Sequence, residues 1–125
     1  MLQQAEAPLP ENTVSPAAGE PLPAGIRRLH LYLIKPSKYD DDGYVIRYLR
    51  GVLPSNTLST LYSLTEDQHR SGALGDGLEV RTTVIDETVE MVPVRRILRR
   101  ANRQRDTRTV IALVGVQTNQ FPRAY

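Results

Sequence analysis

The sequence contains no cysteine and no tryptophan, a single phenylalanine, and no apolar run near the ~18 residues that a membrane-spanning helix needs. The lack of cysteine excludes a disulfide framework, a cysteine nucleophile, a thiolate zinc site and a cysteine-ligated iron–sulfur cluster. The first residues also lack the basic start and apolar run of a secretory signal. We therefore expect a cytoplasmic chain with an aliphatic core and no membrane contact.

Charge and proline are unevenly distributed along the 125 residues, although the net charge is only +2. Residues 1–26 hold three acids, no base and five of the nine prolines. Such a segment cannot bury enough apolar surface to offset the entropy lost on ordering, so we interpret residues 1–26 as a disordered leader. Residues 27–125 then form one domain, which agrees with the chain length.

Apolar periodicity predicts strands and helices in alternation. The predicted strands are residues 29–34, 78–86 and 110–116. One helix begins at a cap formed by Ser55 or Asn56, a second has Pro93 as its first residue, and Pro122 indicates the start of another. The order is a βαβαβ unit, so the predicted fold is α/β: a partial Rossmann-like three-layer sandwich with a parallel sheet. The polar residues 38–55 are expected to include a helical turn.

The third predicted strand, VIALVGV, has no polar residue, which is typical of a central parallel strand covered on both faces. Nothing after it in the sequence supplies that cover, and doubly wound sheets usually have five or six strands. We therefore interpret the chain as a truncated domain, with a gene fragment that does not fold stably as a further alternative.

Polar side chains follow all three predicted strands. In open α/β sheets, ligands bind beyond the carboxyl ends of the strands. The candidate cofactor-binding residues, which would hydrogen-bond amide or phosphate groups, are Lys35, Ser37, Asp86, Gln117, Asn119 and Gln120. The first strand is not followed by a glycine-rich phosphate loop, which argues against a dinucleotide site or a nucleotide hydrolase.

Other polar residues favour structural interpretations. The run from Asp40 to Gly43 is interpreted as an acidic turn, because its acids do not alternate as calcium ligands do. His30 lies within the first strand and is predicted to be a packed histidine, whereas His69 near a helix end is predicted to be solvated. No pattern around either histidine indicates a catalytic dyad, and no catalytic or metal residue is assigned.

The second helix is rich in arginine. Val94, Ile97, Leu98 and Ala101 form its apolar stripe, and Arg95, Arg96, Arg99, Arg100 and Arg103 occupy the opposite face. This pattern leaves an alternative function open: a non-catalytic interaction module that docks onto a partner through residues 93–104. Nucleic acid is the less favoured partner, because residues 89–120 contain no aromatic residue for base stacking.

Several sequence blocks resemble a known family. Leu31 to Ser37 (LYLIKPS) is similar to the first strand and turn of cobalamin-binding-type radical S-adenosylmethionine enzymes. Residues 35–57 (KPSKYDDDGYVIRYLRGVLPSNT), 86–89 (DETV) and 115–124 (GVQTNQFPRA) resemble the N-terminal region of one group within that family. The similarity covers residues 29–125.

The resemblance implies a Rossmann-like domain that precedes a barrel holding a four-iron, four-sulfur cluster and S-adenosylmethionine. Cobalamin is then the expected cofactor of this domain, and a downstream radical enzyme chain is an expected partner. This chain departs from the family in two motifs: the cluster motif CxxxCxxC is absent, and so is the Asp-x-His-x-x-Gly loop that supplies a histidine ligand to cobalamin. By itself the chain is therefore expected to bind a cofactor or substrate without being a radical enzyme.

Overall fold

The computed structural model describes residues 22–49 and 55–125. The elements are β1 (Arg28–Lys35), α1 (Asn56–Arg70), β2 (Glu79–Asp86), α2 (Val94–Arg103), β3 (Thr107–Leu113) and α3 (Phe121–Ala124). The prediction of an α/β fold is confirmed. Most of the predicted leader, residues 1–21, lies outside the described residues. No helix within the described ranges is long and apolar enough to span a membrane.

The three strands form one parallel sheet in the order β2-β1-β3. Because β2 and β3 lie on opposite sides of β1, right-handed crossovers place α1 and α2 on opposite faces of the sheet. Leu33 of β1, Leu58 of α1 and Val114 form the core on one face. Tyr32, Ile34, Ile85 and Ile97 form the core on the other face, beneath α2. The described part of the chain is thus a partial Rossmann-like sandwich of three layers.

The prediction that the third strand is central is wrong. β3 lies at the edge of the described sheet, and Val110, Ile111 and Leu113 are 39%, 50% and 46% exposed. An apolar run specifies a strand, but the order of the strands depends on where each crossover returns. The crossover through α2 carries the chain from β2 past β1, so β1 takes the central position.

The helix starts follow the predicted signals with one difference. Ser55 caps α1, and its hydroxyl accepts a hydrogen bond from the Leu58 amide at 3.4 Å. Pro93 is the cap of α2 and not its first residue, because its ψ of 64° is not helical. Its carbonyl accepts the Ile97 amide at 3.1 Å, which is the first bond of the helix.

The apolar stripe predicted for α2 is only partly covered. Ile97 is 4% exposed, whereas Val94 and Leu98 are 54% and 53% exposed. The two exposed side chains border a cavity of about 210 Å³ between α2 and the outer part of β3. The same edge position that exposes β3 therefore leaves part of α2 exposed.

The helical turn predicted within residues 38–55 is absent from its described part, residues 38–49. This loop folds back on itself, and an antiparallel bridge joins Tyr39 to Val45. A carboxylate oxygen of Asp40 accepts the amides of Asp42 and Tyr44 at 3.1 and 2.7 Å, which makes the acidic run a hydrogen-bonded turn. Gly43 supplies the positive φ of 85° that this turn requires.

Candidate functional site

A cavity of about 180 Å³ opens at the carboxyl edge of the sheet, beside the ends of β1 and β3. The chain leaves β1 toward β2 on one side and returns to β3 on the other, so this is the topological switch point of the sheet. Five of the six predicted binding residues line the cavity: Lys35, Ser37, Gln117, Asn119 and Gln120. Gly115, with a φ of 64°, allows the chain to turn sharply after β3.

Two of these residues hold the surrounding loops together. Ser37 is 1% exposed, and its hydroxyl donates to the carbonyl of Ile46. The side-chain nitrogen of Gln120 donates to the carbonyl of Pro36 at 2.9 Å. Its side-chain oxygen accepts a hydrogen bond from the backbone N–H of Gln117 at 3.0 Å. Both side chains are therefore engaged with the protein: Ser37 holds the loop after β1 together, and Gln120 connects that loop to the loop after β3.

Lys35 and Asp86 form a pair on neighbouring strands. Their charged atoms are 3.7 Å apart, and the two residues are partners in the β1–β2 register. Asp86 does not line the cavity; its carboxylate also accepts the amide of Thr88 at 3.0 Å and the Thr88 hydroxyl. Asp86 therefore orients Lys35 and the start of the loop after β2. Lys35 lines the cavity with the positive charge of its ammonium group partly balanced by the carboxylate of Asp86.

Four lining side chains remain available to a ligand. Gln117 and Asn119 are exposed after β3, and Lys38 and Tyr48 come from the folded loop after β1. None of these side chains has a hydrogen-bond partner within residues 22–49 and 55–125. Sequence reasoning identified the two amides and missed Lys38 and Tyr48. The signal for Lys38 is its position in the polar segment that follows β1, immediately after Ser37.

A partly buried ion pair between Glu87 and Arg123 lies beneath this edge and was not predicted. Glu87 is 3% exposed and accepts the Ser37 amide at 3.1 Å. Arg123 donates through Nε to both carboxylate oxygens, at 3.0 and 3.2 Å, and through a second nitrogen to one of them. Hydrogen bonding to Glu87 raises the pKa of Arg123. The pair connects the ends of β1 and β2 with α3, so it positions the loops that surround the cavity.

Arg123 also lies over the ring of Tyr39, with 5.9 Å from the guanidinium carbon to the ring centroid. The folded loop after β1 is thereby connected to α3. A signal for the Glu87–Arg123 pair exists in the sequence, since an acid directly after one strand and a base after another meet at the same edge of a parallel sheet. The pair is separated by 36 positions, which hides it from local pattern reading.

The two histidines lie away from this cavity. His30 is buried, its Nε2 lies 2.9 Å from the Thr83 hydroxyl, and its ring stacks on Tyr32 at 4.1 Å between centroids, as expected for a packed histidine. Burial, followed by the charges of Arg81 and Arg100, lowers the pKa of His30.

His69 differs from the solvated residue that was predicted. It is half-buried, and its Nε2 lies 3.2 Å from the carbonyl oxygen of Leu78. The glycine-containing turn after α1 folds back and brings the residue before β2 against the helix end. Sequence periodicity within α1 carries no information on this contact.

The arginines of α2 divide into two groups. Arg95, Arg96, Arg99 and Arg103 are exposed, whereas Arg100 is half-buried beside β1 and β2. In the part of the chain that the structure describes, no acid lies within 4.0 Å of any of these five side chains. The exposed group leaves the interaction-module alternative as a prediction.

Within the described ranges, no group of three histidine, aspartate or glutamate side chains is arranged to hold a metal ion. No protein-family model matches the chain, and neither a curated protein nor a solved structure does.

Proposed function

We propose that this chain is a small-molecule-binding domain that holds a cofactor or substrate at the carboxyl edge of its sheet and is catalytically incomplete alone. One observation carries the proposal: polar side chains from the loops after β1, β2 and β3 surround a single cavity at the topological switch point. Ligands of open α/β sheets bind at this place.

The available side chains indicate which ligand groups the cavity would accept. Gln117 and Asn119 offer amide donors and acceptors, Lys38 offers an ammonium group, and Tyr48 offers a phenol. A ligand with several oxygen acceptors, such as an amide-bearing or phosphate-bearing compound, would use these donors together. The cavity of about 180 Å³ encloses one such group and not a whole large cofactor.

Cobalamin, which the family resemblance implies, matches these residues only in part. Its peripheral amides and its phosphate would find donors in Gln117, Asn119 and Lys38. No imidazole is present to bind the cobalt, since His30 lies beside Thr83 and His69 lies beside Leu78. A cobalamin with a histidine ligand from this chain does not fit the site.

Radical chemistry would take place outside this chain. A four-iron, four-sulfur cluster needs cysteine ligands, and the sequence has none. If the chain works with a radical S-adenosylmethionine enzyme, the cluster and the S-adenosylmethionine would belong to another polypeptide segment. This chain would contribute the binding of a cofactor or substrate.

The test is an absorbance titration of the purified full chain with hydroxocobalamin, together with thermal melts followed by circular dichroism. We expect a saturable spectral change and, at a ligand concentration of about 100 Kd, a stabilisation of about 2.7 kcal/mol. For a domain of this size, that corresponds to an increase in Tm of about 10 °C or more. Adenosine monophosphate serves as a phosphate-bearing probe without cobalt.

Matched variants locate the binding. The double substitution Gln117→Ala and Asn119→Ala should weaken binding about tenfold or more, because each removes hydrogen bonds to the ligand. Asn102→Ala, at an exposed amide of α2, should leave it unchanged. If neither hydroxocobalamin nor adenosine monophosphate raises Tm, or if the double variant binds like the parent chain, the proposed function is wrong.

The alternative function uses the exposed arginines of α2. Arg95, Arg99 and Arg103 are exposed and have no acidic partner among the described residues. Reversing their charge to glutamate would abolish binding to an acidic protein partner and leave small-molecule binding intact. The same triple variant would bind hydroxocobalamin normally under the first proposal, so the two functions are separable.

A further inference from the structure

A second cavity, of about 140 Å³, lies at the opposite, amino edge of the sheet. The first residues of β1 and β2, the last turn of α2 and the start of β3 enclose it. Ligand sites of α/β sheets are expected at the carboxyl edge, so general rules of the fold do not account for this cavity. A ligand for this cavity therefore has to be inferred from the charges of the residues that line it.

The register of the sheet brings basic side chains together at this edge. Arg81, His30 and Thr109 are partners across β2, β1 and β3, and residues that pair in this way extend to the same face of a parallel sheet. The face is the one that α2 covers. Arg100 of α2, which is half-buried, reaches the cavity from above, and Arg81 is exposed at its rim. With Arg28, three guanidinium groups line the cavity together with a buried histidine.

The positive charge of this cavity is not balanced by the acids nearby. Glu79 lines the cavity, but one of its carboxylate oxygens is 2.9 Å from Nε of Arg28. Arg28 is also paired with Asp106 at 3.4 Å. Arg81 and Arg100 have no acid within 4.0 Å in residues 22–49 and 55–125.

The pKa of His30, which lines the same cavity, reflects this excess of positive charge. The pKa of His30 is lowered by burial and then by the charges of Arg81 and Arg100, and no acid raises it. Two like charges around one small cavity repel each other, and an anion between them would remove the repulsion. The last turn of α2 carries the negative end of the helix dipole. Its partial charge of about half an elementary charge does not balance the charges of the two guanidinium groups.

We propose that this cavity at the amino edge binds a phosphate group, either as inorganic phosphate or as the terminal group of a small phosphomonoester. Arginine binds phosphate oxygens through paired N–H donors, and Arg81 and Arg100 approach from different elements. Gln104 lines the same cavity and can add a neutral amide donor, whereas the hydroxyl of Thr107 donates to Asp106 at 3.3 Å. A tetrahedral group presents acceptors toward several walls at once, which a planar carboxylate does not.

The test uses the two histidines as separate probes in the full chain. Imidazole resonances are followed by NMR while sodium phosphate is added at constant ionic strength, and His69→Gln assigns the two signals. We expect a saturable shift at His30 and an increase in its pKa, because a bound anion offsets the arginine charges. His69, which contacts Leu78 and does not line the cavity, should not shift.

Glycerol 3-phosphate and sodium sulfate are titrated in the same way to identify the source of the group. Tighter binding of glycerol 3-phosphate than of phosphate would assign the site to a phosphomonoester, and the reverse order would assign it to the free ion. An equal shift with sodium chloride would show that screening alone is responsible, and it would overturn the proposal.

Matched arginine variants complete the test. Arg81→Gln and Arg100→Gln should each weaken phosphate binding about tenfold or more, since each removes a charge-assisted pair of hydrogen bonds. Arg96→Gln, at an exposed position of the same helix, should leave the affinity unchanged. A thermal melt confirms that each variant is folded. Unchanged affinity in both pocket variants, or an equal loss in Arg96→Gln, would overturn the proposal.

Discussion

β1 and β3 have similar apolar sequences but opposite environments. In β1, Tyr32, Leu33 and Ile34 are 5%, 3% and 5% exposed, and they pack on both faces of the sheet. In β3, the exposed fractions of Val110, Ile111 and Leu113 are roughly tenfold larger. The difference arises from position, since β1 has a strand on each side and a helix over each face. Apolar character therefore identifies a strand in this chain without reporting how much that strand contributes to stability.

The largest predicted effect is at the centre of the sheet. Leu33→Ala should lower the free energy of unfolding by about 2–5 kcal/mol, because it leaves a cavity between Leu58 and Val114. Urea denaturation followed by circular dichroism measures the change. A loss below about 1 kcal/mol would mean that β1 is no more important than an edge strand.

The second prediction concerns the ion pair that holds the ends of the strands together. Glu87→Gln removes the charge that accepts hydrogen bonds from Arg123 and Ser37, and it should cost about 1–3 kcal/mol in the free energy of unfolding. Glu90→Gln, at an exposed acid three positions later, is the matched control and should be neutral. Equal stabilities of the two variants in urea denaturation would contradict a structural role for Glu87.

A smaller effect is expected on β3. Ile111 is 50% exposed, so Ile111→Ala loses only part of the buried area that an internal isoleucine would lose. We expect a decrease of no more than about 1 kcal/mol in the free energy of unfolding, measured under the same conditions as Leu33→Ala. A cost as large as that of Leu33→Ala would show that β3 is covered in solution and would remove the contrast between the two strands.

The smallest predicted effect is a pH dependence from a single residue of β1. The pKa of His30 is lower in the folded chain than its usual value of 6.5, so the unfolded chain binds more protons between the two values. This contribution is fully present above pH 6.5 and is lost as the pH falls toward the folded pKa. The unfolding free energy should therefore decrease between pH 7.5 and 5.5 more in the parent chain than in His30→Gln. Equal decreases in the unfolding free energy of the parent chain and of His30→Gln would contradict this prediction. His69→Gln is the control and should behave like the parent chain.

Local sequence signals predicted the elements well. The strand sequences, the Ser55 cap and the helix at Pro122 all depend on neighbouring residues. Sequence reasoning placed β3 at the centre because VIALVGV has the composition of a covered strand. The position of β3 beside β1 depends on the whole β2–α2–β3 crossover, which is longer than any local sequence pattern.

The candidate site was predictable to the extent that strand ends converge. Lys35, Gln117 and Asn119 meet at one cavity because the carboxyl ends of parallel strands share an edge. Which of these residues bond to the protein and which remain available to a ligand was not predictable. Ser37 and Gln120 donate to backbone carbonyls only because the loops fold toward each other. The basic cavity at the amino edge was also missed, because the approach of Arg81 and Arg100 depends on register and on the placement of α2.

The central position of β1 has a consequence for the order of events during synthesis. β1 leaves the ribosome before both of its partners, and Arg28 pairs with Glu79, which follows 51 positions later. At roughly 5–20 residues per second, β1 waits for seconds before its first partner is complete. Parallel pairing across such separations is slow to form. The newly made chain thus exposes its LHLYLI segment to chaperones and to other nascent chains, and that interval is a built-in cost of placing the first strand in the middle of the sheet.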